Sequence, residues 1–277
     1  MGMRVSTNLA AINAQRNLIG SQRVMSKSMS QLASGSRINI AADDAAGLAI
    51  SEKLKAGIRS ARQANRNAND GISLVQTAEG GLNEIGNIVT RLRELGIQAS
   101  SDTIGDTERG FIHKEVSQLS SEIQRIASTT SWGNTKLLDG STPNYDFQIG
   151  LHNVAEEDRI SFNASENVAT VDKLGLSGLD YTTKEGAQSA LSQLDNAQNM
   201  VNGSRANLGA LQNRLSSTVD NLAVYEENMS AANSRIRDTD VAQASSEMTR
   251  NNILLQAGTA TLAQANQSTQ LALKLLG

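Results

Sequence analysis

The chain of 277 residues has no cysteine, a single proline and two histidines, and its aromatics amount to one Trp, three Tyr and three Phe. Without cysteine there is no disulfide scaffold, no thiolate metal site and no thiol redox chemistry. His113 and His152 stand alone, with no second histidine at helical spacing, so the inventory offers no metal centre. So few aromatics and prolines are foreign to a conventional globular enzyme core. Net charge is −3, and no basic run is interleaved with aromatics, which leaves no footprint for nucleic acid. No uninterrupted apolar run approaches the ~20 residues that span a bilayer, and the N-terminus lacks the compact apolar core of a cleaved signal peptide. Residues 1–42 do carry Arg4, Arg16, Arg23, Lys27 and Arg37 with no acid, a pattern loosely like an organellar transit peptide. The C-terminal pattern described below argues against that reading.

Catalytic motifs are missing too. Asp43 and Asp44 are adjacent in sequence, and adjacent residues of a helix do not face the same way, so they read as helix-start residues and not as a carboxylate pair. Gly175-Leu-Ser-Gly178 is one residue short of a nucleophile elbow and reads as a loop. No phosphate-cradling glycine run precedes a lysine. No enzyme activity and no cofactor is expected, and Trp132 is expected to be a packed plug.

What the chain does have is helical periodicity. Apolar residues make up 39%, mostly Ala, Leu, Ile and Val. Leu9, Ile12, Leu18, Met25, Met29 and Leu32 form a stripe at spacings of three, four and seven, the signature of a helix with one apolar face. The stripe stops at Ser34-Gly35, where glycine can take the left-handed conformation that ends a helix. A second helix starts after Asp43 and Asp44, whose carboxylates can cap free N–H groups and complement the positive end of a helix dipole. The three-four rhythm then runs through Ile58, Ala61, Ala68, Ile72, Val75, Leu82, Val89 and Leu92 to about Ala99. After a turn at 100–106, with Asp106 as the expected cap, a shorter helix carries Ile112, Val116, Leu119, Ile123 and Ile126.

Between 129 and 182 the rhythm stops, and Trp132, Tyr145, Phe147, Phe162 and Tyr181 appear together with Pro143. Alternation over 145–149 and 159–162 predicts a small β-hairpin. From Ala187 the helical pattern returns as Ala187, Ala190, Leu194, Ala197, Val201, Ser204, Leu208, Leu211, Leu215, Thr218, Leu222, Tyr225, Met229, Ala232 and Ile236. A strict three-four alternation keeps one seam facing a partner helix, here the helix of residues 44–99. A second break falls at Arg237-Asp238-Thr239-Asp240. Beyond it the pattern restarts as Val241, Ala244, Met248, Leu255, Leu262, Ala265, Ala272 and Leu276, and only Glu247, Arg250 and Lys274 carry charge.

Such a tail is suited to association. Each buried Leu, Met or Val contributes roughly 1.5–3 kcal/mol, while association costs an estimated ~4–15 kcal/mol of rigid-body freedom. The residues therefore describe a mainly α protein: long antiparallel coiled-coil helices, a small β-hairpin region, and N- and C-terminal helices that pair with each other and with neighbouring copies.

These segments resemble bacterial flagellin, in a short form. The resemblance rests on Leu32-Ala-Ser-Gly-Ser-Arg-Ile-Asn39 with Ala42-Asp-Asp-Ala-Ala-Gly-Leu-Ala49, on Arg91-Leu-Arg-Glu-Leu95, on Ser234-Arg-Ile236 with Asp238 and Asp240, and on Ile253-Leu-Leu-Gln-Ala-Gly-Thr259 with Leu262-Ala-Gln-Ala-Asn-Gln267. It departs at Trp132-Gly-Asn-Thr, where Phe-Asn-Gly is common, at Ala244, where an acid is frequent, and at Gly277, where Arg is frequent. The middle is too short to hold the variable outer domains of larger flagellins.

The resemblance implies a structural subunit that polymerises into the flagellar filament and serves motility. It also implies passage through the flagellar type III export apparatus, without a cleaved signal peptide, to an extracellular location. A hook-filament junction protein is the nearest alternative. Residues 1–42 and 238–277 would form the inner filament core, and 43–237 an outer helical domain with its β region at about 130–182. Polymerisation and core contacts are expected from Leu9, Ile12, Met25, Leu32, Met248, Leu255, Leu262 and Leu276, and a spoke between layers from Gly35, Asp43, Asp44, Asp238 and Asp240. Implied partners are further copies of the chain, the flagellar cap and hook-associated proteins, an export chaperone and the export apparatus, with no nucleic acid and no membrane. Some flagellins are sensed by a vertebrate Toll-like receptor through an Arg, a Leu and a Glu matched here by Arg91, Leu95 and Glu115. Solvated helix faces or filament contacts explain the same residue types.

Overall fold

The computed structural model describes residues 7–141 and 144–274, with side chains to residue 267. Among the described residues the architecture is carried by the α-helices α1 (Leu9–Ser34), α2 (Ala45–Ala99), α3 (Asp106–Thr129), the single turn α4 (Ala155–Asp158), α5 (Lys184–Arg237) and α6 (Val241–Lys274). Two antiparallel hairpins lie between α3 and α5, with β1 (Ser131–Trp132) paired to β2 (Thr135–Lys136) and β3 (Tyr145–Gln148) to β4 (Arg159–Phe162). Contacts divide the chain into two compact units, residues 1–58 with 228–277, and residues 59–227.

The second unit holds the large core. Its part of the α5 seam is buried at Ala187, Ala190, Leu194, Ala197, Val201, Leu208, Leu215 and Leu222. The facing stripe of α2 runs through Ala61, Ala64, Ala68, Val75, Ala78, Leu82, Ile85, Val89, Leu92 and Leu95. Arg62 pairs with Glu226 at 2.6 Å, Asn65 donates to the Val219 carbonyl at 3.4 Å, and Arg93 pairs with Asp195 at 2.8 Å. Partners that rise along one helix as they fall along the other define an antiparallel pair, as the heptad rhythm predicts. The α3 helix adds Ile112, Val116, Ile123 and Ala127 to the same core.

A buried cation joins α3 to α2. Arg109 donates from Nε to the Ala99 carbonyl at 2.9 Å and from Nη2 to the Ser101 carbonyl at 3.0 Å, while Asp106 takes Nη1 at 2.9 Å. The Ala99 carbonyl, at the end of α2, is thus answered by a side chain of α3, as is the Ser101 carbonyl in the turn that follows. Asp106 is accordingly no N-cap; that position belongs to Gly105, which makes no side-chain cap bond.

The expected hairpin is present, with Tyr145 opposite Phe162 and Gln148 opposite Arg159, one residue shorter on its first strand than the alternation suggests. The hairpin Ser131–Lys136 is an addition. Gly133, at φ 58°, and Asn134 make its two-residue turn, a Gly-Asn signal that sequence rules recognise. It also corrects the reading of Trp132, which is 40% exposed beside the turn and plugs nothing. The plug of this region is Tyr181, fully buried, whose hydroxyl donates to the Leu92 carbonyl at 3.0 Å. Burial pushes its phenol up to about 12.

Candidate functional site

In the first unit α1 and α6 pack against each other. Asn8 caps α1, its Oδ1 accepting from Ala11 N–H at 3.1 Å, while its Nδ2 donates to the Ala265 carbonyl of α6 at 2.9 Å. Leu18 sits over Gly258. An early residue of α1 meeting a late one of α6 makes the pair antiparallel. Residues withdrawn from water include a three-four series on both helices: Ala11, Ala14, Leu18, Ser21, Met25, Ser28 and Leu32 on α1, and Ala244, Met248, Asn251, Leu255, Gly258, Leu262 and Ala265 on α6. The small members permit close approach. A Cβ on Gly258 would lie 2.9 Å from Leu18 Cδ2 and 3.0 Å from its Cγ.

The expected contact residues therefore divide into two faces. Met25, Leu32, Met248, Leu255 and Leu262 lie on the intrachain seam, half-buried. Leu9 and Ile12 do not; they are 61% and 45% exposed, in company with Ile19, Val24 and Met29 on α1 and Val241, Ile253 and Leu254 on α6. Leu276 lies outside the described residues. Two helices that have already buried one stripe against each other still expose large apolar side chains at other positions around them.

The joint between α1 and α2 is built with similar economy. Gly35 ends α1 at φ 68°, ψ 4°. Ile38, 1% exposed, is the apolar anchor, and Gly47 makes room for it: a Cβ there would stand 2.9 Å from Ile38 Cδ1 and closer still to the Asp44 carboxylate. The two aspartates have separate roles. Asp44 Oδ1 accepts from Gly47 N–H at 2.8 Å and caps α2, as the sequence suggests. Asp43 instead accepts from the N–H groups of Asn39 and Ile40, at 3.2 and 3.3 Å, and pairs with Lys27 at 2.9 Å. It holds the turn before the helix, and not the helix start. At the second break Asp240 caps α6, accepting from Ala242 and Gln243 N–H at 2.9 and 3.1 Å, while Asp238 lies in an isolated antiparallel bridge opposite Ser36.

The Lys27 ammonium, followed by the two backbone donors, holds the Asp43 carboxyl below the usual aspartate value. A carboxylate whose pKa falls on folding contributes its stability in full above the unfolded value and loses it as pH falls through the folded one. Protection of the Asn39 and Ile40 amides, relative to their intrinsic exchange rates, should therefore fall as pH drops below about 4. In Lys27→Met that acid limb should begin at higher pH, which exchange at constant ionic strength measures. Substitution of Gly35 has a separate cause. A left-handed conformation costs a non-glycine residue roughly 1–2 kcal/mol, more for a β-branched one. Since a Cβ would meet nothing within 4 Å, Gly35→Asn should be tolerated and Gly35→Val should not, as thermal melts of the two variants would compare.

Two family profiles match this arrangement at its two ends. The bacterial flagellin N-terminal helical region covers residues 5–142, and the bacterial flagellin C-terminal helical region covers residues 187–276. The chain belongs to the flagellin family. It is 44% identical over 274 residues to flagellin of Halalkalibacterium halodurans, with 99% of this chain and 100% of that protein covered. Flagellin of Bacillus subtilis is 43% identical over 308 residues, again at 99% and 100% coverage. The flagellar filament core protein flaB2 of Brachyspira hyodysenteriae is 42% identical over 289 residues, at the same coverage. The crystal structure of Bacillus cereus flagellin superposes with a TM-score of 0.51 at 29% identity, covering 61% of this chain and 94% of that one.

For a flagellin the further candidate residues are Arg91, Leu95 and Glu115. Arg91 and Glu115 are brought together, Nη2 to Oε1 at 2.9 Å, and Glu94 joins them at 3.1 Å. Leu95 lies beneath in the core at 2% exposure. Hydrogen bonding to both glutamates, Glu115 first, raises the Arg91 guanidinium above its ordinary value. Among the described residues no group of three His, Cys, Asp or Glu is placed to hold a metal, and no helix is long and apolar enough to cross a membrane. Sequence reasoning missed Ile38 and Gly258 as structural centres. Ile38 falls outside any periodic run, and a glycine in a seam carries no apolar signal.

Proposed function

We propose that this chain is the structural subunit of the bacterial flagellar filament, exported by the flagellar type III apparatus and assembled outside the cell for motility. The observation that carries the reading is the set of large apolar side chains left exposed on α1 and α6 after the two helices have paired. Burying Leu9, Ile12, Ile19, Met29, Ile253 and Leu254 between copies contributes on the order of 10 kcal/mol, enough to meet an association cost of ~4–15 kcal/mol. Unlike surfaces joined head to tail give an open helix when the rotation does not close. On this reading residues 1–42 and 238–277 form the inner layer of the polymer and 43–237 the outer one, with the two joints as spokes. The cap, hook-associated proteins and export chaperone would act on the same terminal helices.

Purified protein seeded with filament fragments should grow fibres without a limit on length. A hook-filament junction protein would stop at a fixed number of copies, and protein that stays monomeric under seeding would overturn both readings. Recognition by a vertebrate Toll-like receptor would use the exposed Arg91–Glu115 pair, with Leu95 supporting it from below. Monomer carrying Arg91→Ala should then signal at least about tenfold less in a receptor reporter assay, a loss on the scale of one charge-assisted contact. Absence of signalling by the wild-type monomer would sink that contact.

A further inference from the structure

Residues 171–182, between the second hairpin and α5, cross the flank of α3 as a strap. Leu174, Leu176 and Leu179 seat it in the core of the second unit. The strap backbone is fastened to α3 at both ends by a side chain. Val171 N–H donates to Gln124 Oε1 at 3.2 Å, and Tyr181 N–H donates to His113 Nδ1 at 3.4 Å. Between the two fasteners lies an open cleft of about 820 Å³, bordered by His113, Ser117, Gln124, Asp172, Asp180 and Thr182. The fasteners differ in one respect. An amide oxygen accepts at every pH, whereas Nδ1 accepts only while the imidazole is neutral and carries its proton on Nε2.

We infer that His113 is an acid-sensitive fastener: the neutral ring holds the Tyr181 end of the strap on α3, and protonation releases that end while the Gln124 end stays closed. The contact belongs to the neutral ring, so its contribution is present above the range where histidines titrate, around pH 6.5, and is lost as pH falls through it. An imidazolium would set two N–H donors against each other, and a contact already 3.4 Å long has little to lose before it fails. The charged groups around the ring favour the change. Asp172 and Asp180 of the strap border the same cleft. Asp180 Oδ1 accepts from the Thr182 hydroxyl at 2.7 Å and from its N–H at 2.8 Å, and these bonds, with His113 nearby, hold its carboxyl below the usual aspartate value. It therefore stays anionic where the ring titrates, and offers the new N–H a partner next to the amide that the ring gives up. Other charges are committed elsewhere. Arg109, one turn earlier on α3, serves the Ala99 and Ser101 carbonyls, Lys114 lies over the Phe111 ring at 5.7 Å, Glu115 pairs with Arg91, and Lys184 of α5 pairs with Asp102 at 2.7 Å. The three leucines do not titrate, so the strap stays seated and only its end and the mouth of the cleft respond. The fastener lies within residues 59–227 and depends on nothing in the terminal helices.

Amide exchange in the full-length monomer, corrected at each pH for intrinsic rates, tests it. Protection at Tyr181 should fall about tenfold between about pH 7.5 and pH 5.5, the scale of one hydrogen bond, while Val171 keeps its protection over the same interval. His113→Asn, whose Oδ1 stands in for Nδ1 as an acceptor that does not titrate, should remove the fall and leave Tyr181 protected at both ends of the range. His113→Phe, a ring without an acceptor, should leave Tyr181 at the low level at both. Protection at Tyr181 that is flat with pH in the wild type, or a fall that persists in His113→Asn, would show that the ring is not the fastener. Parallel loss at Val171 would also overturn it, because the strap would then be opening as one piece.

Discussion

Gly258→Val should abolish assembly and leave residues 59–227 folded. The added Cβ would fall 2.9–3.0 Å from Leu18 Cδ2 and Cγ, in the middle of a seam whose neighbours are also small or tightly placed. Leu18 cannot retreat without exposing itself, so the helices must separate by the width of a methyl group or slide past their register. Overpacking of this kind costs roughly 1–3 kcal/mol. The α1–α6 pair has little reserve, because apart from Ser28 and Ala244 the seam residues are only half-buried. Once the seam opens, the exposed residues Leu9, Ile12, Ile253 and Leu254 lose their fixed geometry as well. Circular dichroism should show a modest loss of helix, and sedimentation should show no polymer under seeding. Leu18→Ala in the same chain should restore part of both, since it empties the space the valine needs. Failure of that rescue would place the defect outside the seam.

Ile38→Ala should be the most damaging truncation at the joint. Ile38 is 1% exposed and lies against Gly47 at the start of α2. Ile→Ala at such a site costs about 2–5 kcal/mol, the transfer of the lost methyl groups plus the cavity they leave. The surroundings cannot collapse freely, because Asp43 is tied to Asn39 and Ile40 and Asp44 to Gly47. The hydrogen-bonded frame should therefore persist around a hole. Limited proteolysis would then cut near 35–44 in the variant and not in the wild type, while the core around Leu82, Leu92 and Tyr181 stays protected. Ile38→Val should cost only about 0.5–1.5 kcal/mol. A variant as resistant as wild type would remove Ile38 from the centre of the joint.

The long helices were legible in the sequence because their apolar residues recur with a single period. Each seam position read from Ala187 to Ile236 is withdrawn from water, wholly or in part. The joint was legible as a stop and a start, through Gly35 and the Asp43-Asp44 pair. Its internal division was not, because two adjacent aspartates look alike until the backbone decides which N–H groups each one reaches. The α1 stripe was read as one face, and only part of it lies in the seam. Leu18, Met25 and Leu32 turn toward α6, whereas Leu9, Ile12 and Met29 remain exposed. Much of the intrachain seam is Ala, Ser, Asn and Gly, so a hydrophobicity pattern weights the outer face too heavily. Arg109 was invisible for a related reason: it acts on backbone carbonyls, which leave no mark on the partner's side chain.

Electron microscopy of the polymer grown from seeds, at a resolution that places side chains, is the most direct test. Leu18, Met25, Leu255 and Leu262 should lie within one chain, in the α1–α6 seam, and Leu9, Ile12, Ile19, Ile253 and Leu254 should be buried against neighbouring copies. A polymer in which those outer residues face solvent, with copies held together by other surfaces, would contradict the proposed assembly.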